Sequence, residues 1–117
     1  MASESILDGI KKDLGIEPEY TDFDHDIIDL INTNLNVLMQ IGVGPDSGFV
    51  ITGNTETWED FLGVNSEKLN MVKTYLYIRV RTIFDPPQNS FVLEALKENA
   101  KELEWRLNVE VDPKEGE

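Results

Sequence analysis

The stretch from residue 65 to residue 108 constrains the fold most, because it contains two amphipathic helical segments separated by Asp85-Pro86-Pro87. On each side of this break, apolar residues recur at steps of three and four, which places them on one face of an α-helix. Both prolines lack an amide hydrogen and disfavour helical dihedrals in the preceding residue, so the first helix ends there. Asn89 or Ser90 then offers an oxygen that caps the second helix. The prediction is a helical hairpin whose apolar positions are Leu69, Val72, Leu76, Val80 and Ile83, then Leu93, Leu96, Ala100, Leu103 and Leu107.

Capping-box spacing, in which a hydroxyl residue is followed three positions later by an acid, marks the starts of three further helices. The pairs are Ser5 with Asp8, Thr21 with Asp24 and Thr57 with Asp60. They predict helices that end near Leu14, Ile41 and Leu62, each followed by a glycine that stops it. Residues 43–56 form a long loop, in which Phe49-Val50-Ile51 is interpreted either as a short strand or hairpin or as a segment tucked under the bundle.

These elements predict an all-α fold, a small bundle of four to five helices. We expect residues 1–108 to form a single helical domain and residues 109–117 to form a flexible acidic tail. The chain has no cysteine, which excludes disulfides and thiolate metal sites. No apolar run approaches the roughly 20 residues that span a bilayer, and the N-terminus is not that of a secretory signal.

The formal net charge of −13 is unevenly distributed. Between Lys12 and Lys68 there are twelve acidic residues and no lysine or arginine, whereas the hairpin that follows is slightly basic up to Arg106. Such a chain repels nucleic acid from one surface and attracts basic surfaces, including those of another copy, to it. DNA recognition through a basic patch is therefore not expected.

A metal site is the first alternative raised by the run Asp22, Asp24, His25 and Asp26, in which acids flank a histidine. An EF-hand loop starting at Asp22 requires a glycine and a glutamate at positions that hold other residues here, and a zincin motif requires a second histidine. Acids in the first turn of a helix also complement its positive end. No nucleophile has an oriented base, and no phosphate-binding loop is present. We therefore expect no metal, no cofactor and no enzymatic activity.

A basic and aromatic line on the hairpin is the leading candidate for a protein interface. Lys73, Tyr77 and Arg81 fall at i, i+4 and i+8 of one helix, a composition common in protein contacts. Trp58 on the short helix is a further interface candidate, although a role in the core is the favoured interpretation for it.

Taken in order, these parts resemble the small head–tail connector (head-completion or adaptor) proteins of tailed phages and prophages. The resemblance covers about residues 22–108 and rests on TWEDFLG, on MVKTYLYIRVRTIFDPP and on LEALKENAKELEWRL. It implies a ring, commonly of twelve subunits, that lies under the portal protein at the virion neck after assembly in the host cytoplasm. The ring extends the DNA channel and docks the next neck or tail protein, so DNA passes through without specific binding. Asp22, Asp24 and Asp26 are our candidates for the channel-facing acids.

Two other functions compete with the connector hypothesis. The acidic half is compatible with a DNA mimic or adaptor that occupies a basic site on another protein, although the cations of the hairpin have the wrong sign for it. A metal-dependent hydrolase that uses the acids around His25 is the third hypothesis. Competition with DNA for a basic partner would identify the mimic, and calorimetry with divalent cations would test the hydrolase.

Overall fold

A computed structural model describes residues 4–111, which fold into five α-helices with no strand among them. The prediction of a small all-α bundle is confirmed. The helices are α1 (Ile6–Asp13), α2 (Asp24–Gln40), α3 (Trp58–Leu62), α4 (Leu69–Phe84) and α5 (Ser90–Val111).

Helix α4 is the centre of the bundle, because α5, α2 and α1 all pack against it. The predicted positions Val72, Leu76 and Val80 are fully buried. Ile83 is the exception: its side chain is 62% exposed in the last turn of α4, where it borders a groove between α4 and α5. The other helices contribute their own apolar faces to the same core, chiefly through Ile6, Leu7, Ile10, Ile27, Ile31, Leu35, Leu38, Ala100 and Leu107.

The hairpin of α4 and α5 forms as its sequence predicts. Asn89 rather than Ser90 is the cap, since its side-chain oxygen accepts hydrogen bonds from the Phe91 amide at 2.8 Å and the Val92 amide at 3.2 Å. Helix α5 continues to Val111, beyond the domain boundary predicted at residue 108. The rest of the predicted tail, residues 112–117, lies outside the described residues.

The start of α2 differs from the prediction. Thr21 does not cap it through its side chain; the helix begins at Asp24, and Phe23 holds the cap position without a side-chain hydrogen bond. The Phe23 ring packs edge-on against Phe84 at a centroid distance of 5.3 Å, and Tyr20 packs against Phe23 at 5.7 Å. Aromatic packing against the end of α4 therefore fixes this helix terminus in place of a capping box.

The beginning of the described chain is joined to α3 by backbone contacts. Trp58 donates its amide to the carbonyl of Glu4, and Ile6 donates its amide to the carbonyl of Glu56. Between these bonds, Ser5 and Thr57 form an isolated antiparallel bridge. Both residues also cap helices as predicted, Ser5 for α1 and Thr57, in a complete capping box, for α3.

The loop of residues 43–56 is tucked under the bundle and contains no strand. Asn32 of α2 binds both backbone groups of Ile51, donating to its carbonyl at 3.0 Å and accepting from its amide at 2.8 Å. Ile51 is consequently buried in the core. At Gly44 the φ angle is +101°, and a Cβ atom there would lie 2.5 Å from the ring of Phe61, so this close approach requires glycine.

Candidate assembly surfaces

The line Lys73–Tyr77–Arg81 lies along one face of α4, but its charges are partly used within the molecule. Lys73 forms an ion pair with Glu4 at 2.9 Å and lies 6.0 Å from the ring centroid of Trp58. Arg81 donates to the hydroxyl of Tyr77 at 2.9 Å. The three residues do share one face of α4, as the sequence predicts. Because Lys73 is already paired with Glu4, its positive charge is less available to a partner protein than the sequence suggests.

Two open grooves border this line where α4 meets the end of α1. One, of about 400 Å³, is lined by Lys73 and Tyr77 with Asp13 opposite them. The other, of about 260 Å³, is lined by Tyr77 and Arg81 together with Asp13 and Asp85. The first groove thus combines one cation with one carboxylate and the second one cation with two, so neither has a single sign of charge.

Trp58 lies in the core, where 3% of its surface is exposed. Its indole N–H has no hydrogen-bond partner although the atom is buried. The burial favours the core role over the interface role that the sequence also allowed. No sequence pattern separates these two roles for a tryptophan in the first turn of a short helix.

The three candidate channel acids lie in different environments. Asp22 and Asp26 are exposed at the start of α2, and a hydrogen bond to Asp22 raises the pKa of the Tyr20 phenol. Asp24, in contrast, lies 2.8 Å from the ammonium of Lys11, a side chain that is only 1% exposed. Because Asp24 balances a buried charge, it contributes less to the surface potential than its two neighbours.

The neighbourhood of His25 does not gather the acids around it. The His25 imidazole lies 3.6 Å from Asp29 one helical turn later, and both side chains are exposed. Within residues 4–111, no group of three or more histidine or acidic side chains is arranged to hold a metal ion.

A groove between α4 and α5 is a surface that sequence reasoning missed. This α4/α5 groove, of about 400 Å³, has three cations and no acid among its lining residues. The cations lie on different helices, so only the hairpin geometry brings them together. The lining residues are Ile78, Arg79, Thr82, Ile83, Lys97, Ala100 and Lys101.

Tyr75, which is buried, and Glu56, which is only partly buried, have shifted pKa values. Burial, followed by a 2.6 Å hydrogen bond to Glu104, raises the pKa of Tyr75 above its ordinary range. Burial alone would raise the pKa of Glu56, but hydrogen bonds from the hydroxyl and backbone of Thr52 outweigh it and lower that pKa. Neither group lines the grooves described above, and contacts within the fold account for both shifts.

Residues 4–111 thus form a small all-α protein with open surface grooves, and the charge of its chain is unevenly distributed. The model of the phage connector protein family matches residues 6–114, nearly the whole chain. The chain therefore belongs to the phage connector protein family and is a structural connector of the phage particle. A search of curated proteins and a search of solved structures found no match. Along the described chain, no helix combines the length and the apolar character that crossing a bilayer requires.

Proposed function

We propose that this connector assembles as a ring of twelve subunits, the number that its resemblance to phage connectors implies, directly beneath the portal protein of a filled head. The ring extends the DNA channel and presents a platform on which a neck or tail protein docks. Subunits meet the portal during assembly in the host cytoplasm and remain at the virion neck. The proposal rests on the family match over residues 6–114.

The charge distribution supports a wall that DNA slides past without adhering. The segment between Lys12 and Lys68 contains twelve acidic residues and no lysine or arginine. Asp22 and Asp26 are exposed, and a row of such carboxylates repels phosphates over a distance of about one Debye length. We place these two acids on the channel side and give Asp24 a smaller part, because Lys11 neutralises it.

A ring also requires a heterologous interface, in which two different patches of each subunit meet. The basic cations of α4 and α5 and the acidic segment before Lys68 provide surfaces of opposite sign on one chain. In this assembly the protein acts by position and contact, and no catalytic step is needed. The cations also weigh against a DNA mimic, whose surface has to be acidic throughout.

Deletion of the coding region in the parent phage tests the proposed function. We expect heads that fill with DNA, lose it, and fail to join tails, as seen by electron microscopy of the lysate. Expression of the wild-type chain from a plasmid should restore infectious particles, which shows that the defect comes from this protein. Normal infectious particles from the deletion phage would contradict the proposal.

A further inference from the structure

The α4/α5 groove has the features of a receptor for an acidic, partly apolar segment. Arg79, Lys97 and Lys101 line it, and no carboxylate does. Lys97 and Lys101 lie 4.0 Å from Glu94 and Glu98, at the limit of an ion pair, and these pairs are exposed to solvent. Such pairs contribute little, so the two ammonium groups remain available to a partner.

The floor of the α4/α5 groove is apolar. Ile78 and Ala100 are buried beneath it, and Ile83 stands at its edge with 62% of its surface exposed. Arg79 is anchored by a 3.0 Å hydrogen bond from its Nε to Asn34, which holds the guanidinium in place without neutralising it. A partner that fits this groove therefore combines an aliphatic side chain with flanking carboxylates.

The loop of residues 63–67, here the Val64 loop, has this composition. Val64 is 71% exposed, the exposed Glu67 lies three residues after it in the same loop, and the exposed Asp60 lies four residues before it on α3. Its neighbours Gly63 and Asn65 have φ angles of +89° and +57°, and Asn65 is the one residue other than glycine with a positive φ among residues 4–111. Positive φ angles on both sides of Val64 bend the chain there, and the valine side chain is exposed to solvent.

A subunit cannot place its own Val64 loop in its own groove. The loop precedes the first turn of α4, whereas Ile83 lies in the last turn. At about 1.5 Å of rise per residue, these two ends of the helix are about 20 Å apart. We infer that the Val64 loop of one subunit docks in the α4/α5 groove of a second copy, as the heterologous contact of the assembly. This inference rests on the proposed ring and names the surfaces that form it.

Disulfide cross-linking tests the contact directly, because the chain has no cysteine. The Val64→Cys chain, the Ile83→Cys chain and the wild-type chain are co-expressed so that all three assemble into the same particles. The wild-type chain is included so that assembly does not depend on the variants. The purified particles are then oxidised. A disulfide needs Cα atoms within about 7 Å, so a bond between positions 64 and 83 reports an intermolecular contact. Val50→Cys, at a valine of the long loop that is 59% exposed, is the matched control for Val64→Cys.

We expect a cross-linked dimer of the Val64→Cys and Ile83→Cys chains, and none when Val50→Cys replaces Val64→Cys. Maleimide labelling of the Val64→Cys thiol should be about tenfold slower or more in particles than in free protein, because the reaction must wait for the interface to open. Particles that contain both variants but show neither the cross-link nor slower labelling would overturn the inference, as would a cross-link between two Ile83→Cys chains. The same gel shows whether the chain is present in particles; its absence would instead refute the proposed function.

Discussion

The buried ammonium of Lys11 makes Asp24 more important to stability than Lys11 itself. The side chain of Lys11 is 1% exposed, its ammonium lies 2.8 Å from Asp24, and it donates to the carbonyl of Pro18 at 2.9 Å. Asp24 is 25% exposed, so its side chain is partly open to solvent although its Oδ1 atom is buried. Removing one partner of a buried pair leaves the other charge uncompensated, and here the two partners differ in their access to water.

We expect Asp24→Asn to lower the free energy of unfolding by about 2–3 kcal/mol, somewhat less than for a fully buried pair because the Pro18 carbonyl and an asparagine oxygen remain. In a domain of this size, that loss lowers Tm by roughly 10 °C. Lys11→Met should cost about 1 kcal/mol or less, because methionine fills the space of the aliphatic stem and Asp24 can turn to solvent. The double variant should resemble Lys11→Met alone.

Urea unfolding of the four proteins, followed by circular dichroism, measures these differences and gives the coupling between the two residues, expected at about 2 kcal/mol. Exposed Asp26→Asn, two residues further along α2, is the control for loss of a first-turn acid. If Asp24→Asn is no more destabilising than Lys11→Met, the buried ammonium does not depend on its carboxylate and the reasoning is refuted.

Asn32→Ala should destabilise the protein by about 1–3 kcal/mol and speed amide exchange at Ile51, because both backbone groups of Ile51 lose their partner. The stability of Asn32→Asp, which can still accept from the Ile51 amide, should lie between those of wild type and Asn32→Ala, and unchanged exchange in Asn32→Ala would contradict the role of Asn32. Because the pKa of Tyr75 is raised in the folded state, the unfolded state loses the phenol proton at lower pH, and the free energy of unfolding should fall by up to about 1.4 kcal/mol per pH unit above about pH 10. Tyr75→Phe should reduce this alkaline loss of stability in urea titrations, and an identical loss in the variant would argue against the raised pKa. In thermal unfolding, Leu107→Ala at a fully buried position should lower the free energy of unfolding by about 2–5 kcal/mol, whereas Trp105→Ala at a position 65% exposed should change it by less than about 0.5 kcal/mol. Similar losses in the two variants would contradict the packing of α5.

The hairpin and the capping box of α3 could be predicted from the sequence because their signals are local. Apolar spacing and a Pro-Pro break define a helix face and its end without reference to the rest of the chain. Thr57 and Asp60 form their capping box within one helical turn. Thr21 and Asp24 have the same spacing, but aromatic contacts between Phe23 and the distant Phe84 determine where α2 begins.

The polar interior and the α4/α5 groove could not be predicted in the same way. Helical spacing places Lys11 beside the apolar face of α1 and Lys12 away from it, but it does not predict that the lysine at the edge is fully buried. The hydrogen bonds of Asn32 to Ile51 join residues nineteen positions apart. The groove cations Arg79 and Lys101 come from two helices whose relative rotation depends on packing. Periodicity specifies which face of a helix is buried, but it does not specify which neighbour covers that face.

The bridge between Ser5 and Thr57 determines where the chain can be shortened. A protein trimmed to begin at Ile6, the first residue of the family match, would lose the serine that caps α1, the carbonyl that holds the Trp58 amide and the carboxylate that pairs with Lys73. Helix α3 has only five residues and depends on its neighbours for its position. Glu4 and Ser5 therefore hold α1, α3 and α4 together, although they lie outside the helices. A tag fused directly before them would have to leave these contacts intact.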